Sequence, residues 1–160
     1  MSYMSDAAAP LPRAQTAVQR AVPPSVQRSF RLSAGTADLL DRQAARANDS
    51  RNALADRLLS EGLRREVHPL ITFRTGAAGR REPHLGVGRL KIRQIVMSLR
   101  SNGGNFAETA ELFDLPLSDV EAAASYYADF TNEIDADISW AETAVDDEHQ
   151  RWQREQSAFR

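Results

Sequence analysis

The stretch from Val26 to Glu66 limits what this chain can fold into more than any other. In Gln27-Arg28-Ser29-Phe30-Arg31-Leu32, alternation puts Phe30 and Leu32 on one face of a strand and Gln27, Ser29 and Arg31 on the other. Ser33 has the chemistry of a helix N-cap, and Ala37, Leu40, Ala44 and Ala47 follow at helical spacing. Asn48 suits a left-handed helix end, Asn48-Asp49-Ser50 makes a turn, and a second helix begins at Arg51 with Leu54, Leu58, Leu59 and Leu63 on its apolar face. A strand of about six residues needs a partner for its backbone and its apolar side. A unit of about forty residues is too small to bury a core alone. The expectation is a dimer whose strands pair between chains, with Phe30, Leu32, Leu40, Leu54 and Leu58 in the shared core.

The Phe-Arg-Leu-Ser strand end and the Asn-Asp-Ser-Arg-Asn turn make this quarter of the chain resemble the ribbon-helix-helix family of bacterial DNA-binding proteins. The resemblance implies a two-chain antiparallel ribbon laid in the major groove. Gln27, Ser29 and Arg31 would then face base edges, and Ser50, Arg51 and Asn52 would grip phosphate. The residue chemistry agrees independently. Arg pairs bidentately with guanine and Gln with adenine, and the free amides of a helix N-terminus favour an anion. The alternative is an ordinary surface strand that happens to carry an Arg.

The chain has 160 residues, which allows one or two small domains. It contains no cysteine, so neither a disulfide framework nor a thiolate zinc site can form. No apolar run is long enough to span a bilayer and the N-terminus lacks a signal-peptide core, which predicts a soluble cytoplasmic protein with no membrane partner. Net charge is -2, but it is distributed unevenly. Residues 26–66 hold eight basic and six acidic side chains, residues 67–101 seven and one, and residues 102–138 none and nine. A basic front suits a polyanion that an acidic back would repel. Solvated faces are the alternative for any single charge.

Four segments follow from this pattern: a disordered tail over 1–25, the strand-helix-helix unit over 26–66, a helical module over 67–138 and a C-terminal helix over 139–160. The tail is rich in Ala, Pro, Ser and Gln without a periodic apolar face. Leu70 to Phe73 reads as a short extended segment, and Gly76 and Gly79 as a turn. Gly86-Val87-Gly88 lacks the surroundings of a dinucleotide fingerprint. Ile92, Ile95, Val96 and Leu99 form a core-facing stripe that ends at Asn102-Gly103-Gly104. Asn105 and Glu108, then Ser118 and Glu121, have capping-box spacing, and Val120, Ala123, Ala124 and Tyr127 share a face of a third helix. The three helices have a helix-turn-helix outline. The third exposes Asp119, Glu121 and Asp129 and no Lys or Arg, so it reads as scaffold or docking surface and not as a DNA reader.

His68-Pro69-Leu70-Ile71-Thr72-Phe73-Arg74, Gly79-Arg80-Arg81, Gly88-Arg89, the Ile92 to Leu99 helix, and Asp119-Val120-Glu121-Ala122-Ala123 leading to Tyr126-Tyr127 and Glu133-Ile134-Asp135 carry a second resemblance. This part of the chain is similar to an antitoxin module of formally unknown function in VapB-like antitoxins, found beside PIN-like ribonuclease toxins. It implies a cognate toxin that cleaves RNA with a carboxylate-held metal and is inhibited by this chain.

Ser139 to Arg160 has no Gly or Pro, and Val145, Trp152 and Phe159 are spaced by seven, a partial helical seam. Trp140, Arg151, Trp152 and Phe159, with Arg80 and Arg81, are the candidate partner-binding residues, since Trp and Arg favour interface anchors. Packing back on the module is the alternative. His68, His84 and His149 are scattered, and no nucleophile elbow or phosphate loop is present, so no metal, cofactor or enzyme activity is expected. The fold expectation is mainly α: one intermolecular strand with two helices, a three-helix domain and a terminal helix. The functional expectation is a homodimeric, or higher even-numbered, antitoxin that binds operator DNA as an autorepressor and neutralises its toxin. A stand-alone regulator with a ligand- or protein-binding rear domain, and a pure interaction adaptor, are the competing readings.

Overall fold

The computed structural model describes residues 26–76, 79–86 and 88–158. The tail expected over 1–25 and Val87 lie outside the described residues. The fold is mainly helical, with six helices and one two-stranded antiparallel hairpin among the described residues.

Helix α1 (Ala34–Ala47) starts where Ser33 accepts a hydrogen bond from the Thr36 amide at 3.3 Å. It ends at Asn48, whose φ of 52° is left-handed. Helix α2 (Arg51–Val67) repeats the device, with Ser50 Oγ accepting from the Ala53 amide at 3.1 Å. Ala44 and Leu54 are buried where the two helices pack together. Gln27 to Leu32, expected as a strand, carry no strand in the single chain. The reason is the one that made the strand conditional: a lone edge has no backbone partner.

The chain's own sheet lies in its middle. Strand β1 (Ile71–Thr75) pairs with β2 (Arg81–Leu85) in the register Ile71 to Leu85 and Phe73 to Pro83. The extended segment expected near Leu70 to Phe73 is therefore the first arm of a hairpin. Its second arm, Arg-Glu-Pro-His-Leu, was not expected, because it lacks an apolar alternation. Pro83 is tolerated since a two-stranded sheet has only edges. Gly76 closes the turn by donating its amide to the Arg80 carbonyl at 2.7 Å.

Helices α3 (Ile92–Ser101), α4 (Phe106–Phe113) and α5 (Leu117–Asp129) pack against one another, and α3 and α5 also pack against the hairpin. The Ile92, Ile95, Val96 and Leu99 stripe is buried as its spacing predicts. Asn105 caps α4, accepting from the Glu108 amide at 3.1 Å. The expected cap at Ser118 is replaced by Pro116, whose fixed φ serves the first turn of α5 without a side-chain bond. The buried face of α5 is Val120, Ala123 and Tyr126, whereas Ala124 and Tyr127 are only half-buried. Helix α6 (Thr131–Ala158) begins eight residues before the expected Ser139, with Phe130 as the single corner residue between it and α5. Its Ile134 and Ile138 complete the core around Tyr126, which is fully buried.

Candidate functional site

The N-terminal unit displays an apolar groove. Phe30 and Leu32 lie against Leu39 and Leu40 of α1 and Ala55, Leu58 and Leu59 of α2, lining about 230 Å³. Of the five residues expected in a dimer core, Leu54 is buried within the chain and Leu40 is half-buried. Phe30, Leu32 and Leu58 remain 63%, 48% and 48% exposed. Leu39, Leu59 and Leu63 are exposed beside them. A contiguous group of large apolar side chains at this exposure is of the kind found at interaction surfaces, ligand grooves and aggregation-prone faces.

The polar candidates surround this unit. Gln27, Ser29 and Arg31 are all exposed. Ser50, Arg51 and Asn52 stand together at the start of α2. Their local chemistry is already partly occupied: the Ser50 amide donates to Asp49 Oδ1 at 2.8 Å, and Arg51 Nε meets Asp41 Oδ1 at 2.7 Å.

The second half of α2 is tied to the rear module. Arg64 donates to the Tyr126 hydroxyl at 3.0 Å and to Glu133 at 2.8 Å, with its guanidinium 4.2 Å above the Phe130 ring. Burial pulls its pKa down, but the bonds to Glu133 and Tyr126 outweigh this and hold it above the usual arginine value. Burial pushes the Tyr126 phenol up to about 12. His68 Nε2 lies 2.8 Å from Asp129. Arg81 forks onto Glu61 at 2.8 and 2.6 Å and donates to the Phe73 carbonyl.

The partner-binding candidates thus fall in two groups. Arg81 is engaged with Glu61. Arg80 is bound to Asp137 at 2.9 Å and stacked 4.3 Å from the half-buried Trp140 ring. Arg151 and Trp152 are exposed on the outer part of α6, where Trp152 stacks on His149. Phe159 lies outside the described residues.

Sequence reasoning missed a buried ionic cluster behind the hairpin. Glu82 is fully buried, with Lys91 Nζ 2.8 Å from its carboxylate and His84 Nε2 at 3.8 Å. Arg93 joins Arg80 on Asp137. Burial lowers the His84 pKa and raises that of Asp137. A Glu beside two Arg residues and a Pro looks like surface, so no local signal identified Glu82. Much of the lengthwise charge dipole also closes on itself: Arg64, Arg80, Arg93 and Arg100 from the front reach Glu133, Asp137 and Asp135 from the back. Among the described residues no three His, Asp or Glu side chains converge as a metal site, and no helix is long and apolar enough to cross a membrane.

Comparison with protein-family models, with curated proteins and with solved structures finds no match to this chain.

Proposed function

We propose that this chain is a dimeric, operator-binding antitoxin: two copies pair residues 26–33 into a ribbon-helix-helix unit that reads DNA, while the rear module and α6 engage a PIN-like ribonuclease toxin. The observation that carries the DNA half is the apolar groove. Phe30 and Leu32 sit on α1 and α2 with about half their surface open, beside two helices that Ser caps and a left-handed turn set in sequence. A second copy supplies the same side chains to close it, and its own residues 26–33 supply the backbone partners the first copy lacks. Gln27, Ser29 and Arg31 then share the face opposite Phe30 and Leu32, and point to base edges.

The toxin half rests on the second sequence resemblance and on α6. From Glu142 onward the described side chains of α6 are exposed all round, including Val145 at 65% and Trp152 at 55%. A helix without an intramolecular face gains most of its stability from docking. Arg80 and Arg81 are held inside the chain, so Trp152 and Arg151 are the better candidates for contact.

The test is to express the chain with the product of the adjoining reading frame, tag only that product, and size the eluate by light scattering. A complex with an even number of copies of this chain supports the antitoxin reading. A chain that fails to co-elute but is dimeric and retards its own promoter DNA is a stand-alone regulator. Leu58→Asp places a charge in the groove and should turn the dimer into a monomer. A Leu58→Asp protein that stays dimeric refutes the groove as the dimer surface.

A further inference from the structure

We infer that Asp41 restrains the grip of Arg51 on DNA, acting as an intramolecular stand-in for phosphate; this rests on the DNA-binding reading above. Arg51 opens α2, and its guanidinium is held at 2.7 Å by Asp41 from the neighbouring helix α1. Both side chains are open to solvent, 70% and 48% exposed, so the pair contributes little to the fold. It is therefore an exchangeable contact and not a structural one.

A phosphate offers the same guanidinium two anionic oxygens in a geometry that suits its fork. Taking Arg51 leaves the Asp41 carboxylate unpaired beside the DNA backbone, where it is repelled. The gain from Arg51 is thus reduced twice, by the pair that breaks and by the charge left behind. Asp49 acts alongside, since its carboxylate already accepts the Ser50 amide at the same helix end. The mouth of α2 carries its own competing anions, which hold non-specific affinity down and leave selection to the base-facing residues.

Asp41→Asn keeps the shape and removes the charge. In a mobility-shift titration on mixed-sequence duplex it should tighten binding about five-fold per dimer, the scale of two exposed ion pairs. It should also steepen the log-log salt dependence by about two, one unit for each freed Arg51. Asp38→Asn, an equal charge change at an exposed site on the same helix, is the control and should do much less. In an Arg51→Ala background the Asp41→Asn gain should vanish. The inference is overturned if Asp41→Asn leaves binding unchanged, if Asp38→Asn matches it, or if the gain survives without Arg51. If the unaltered protein retards no duplex at all, the DNA reading itself falls. A protein that binds duplex but ignores Asp41→Asn loses only this inference.

Discussion

Replacing Arg64 with Met cuts the polar tie between the N-terminal unit and the rear module while keeping an apolar stem. The side chain is 22% exposed and meets the Tyr126 hydroxyl, the Glu133 carboxylate, the face of Phe130 and, at 5.9 Å, the Phe73 ring. Glu133 is 44% exposed, so that ion pair is worth under about 1 kcal/mol. The cation-π contact adds about 0.5 to 1 kcal/mol. The larger cost comes from leaving the Tyr126 hydroxyl buried without its donor, about 1 to 3 kcal/mol. The sum is about 3 kcal/mol. At a urea slope near 2 kcal/mol per molar, the unfolding midpoint should fall by roughly 1.5 M at fixed protein concentration. Tyr126→Phe alone should cost about 1 kcal/mol, because Arg64 keeps Glu133. The decisive measurement is the double variant. Removing both partners leaves no orphaned hydroxyl, so it should be no less stable than Arg64→Met alone. Strictly additive costs, or a loss under 0.5 kcal/mol for Arg64→Met, would refute the buried tie.

Gly76→Ala should cost about 1 to 3 kcal/mol in the same assay, since a Cβ there would stand 2.1 Å from the Glu82 carboxylate. Lys91→Met strands that carboxylate without its nearest cation and should cost about 3 kcal/mol, part of which Glu82→Gln restores. His84, whose pKa burial holds below the ordinary imidazole value near 6.5, binds its proton more readily when unfolded. Stability should therefore fall as pH drops through that value, and His84→Gln should flatten the loss in a pH series of thermal melts. Asp137, raised by burial above the ordinary carboxylate value, acts in the opposite sense: its contribution grows as pH falls toward that ordinary value.

The helices were legible where local chemistry decides them. Ser33, Ser50 and Asn105 cap as their side chains demand, Asn48 turns left-handed, and the Ile92 to Leu99 stripe is buried. The hairpin was half legible, because β2 is held by pairing and by a buried ion cluster that has no periodic signature. Tyr126 and Tyr127 show the limit of a face reading. The two lie about 100° apart around α5 and both continue an apolar stripe, so the spacing alone does not choose between them; packing against Phe130 and the core puts Tyr126 inside. The early start of α6 was hidden because the corner at Phe130 uses no Gly or Pro; it is held by amide bonds to the last carbonyls of α5 and by packing against Tyr126, His68 and the Arg64 guanidinium. At the candidate site, residue types marked Arg31 and Arg51, but only three-dimensional structure shows that Asp41 already holds one of them.

Helix α6 has 28 residues, and those from Glu142 to Ser157 are exposed on every side. At about 1.5 Å per residue this is a spar of roughly 24 Å standing clear of the module. Such a spar slows tumbling and enlarges the hydrodynamic radius beyond what mass alone dictates. A sizing column calibrated with round standards would therefore overstate the number of copies. It also sets Trp152 toward the far end, so the decay of its fluorescence anisotropy tells a free spar from a docked one.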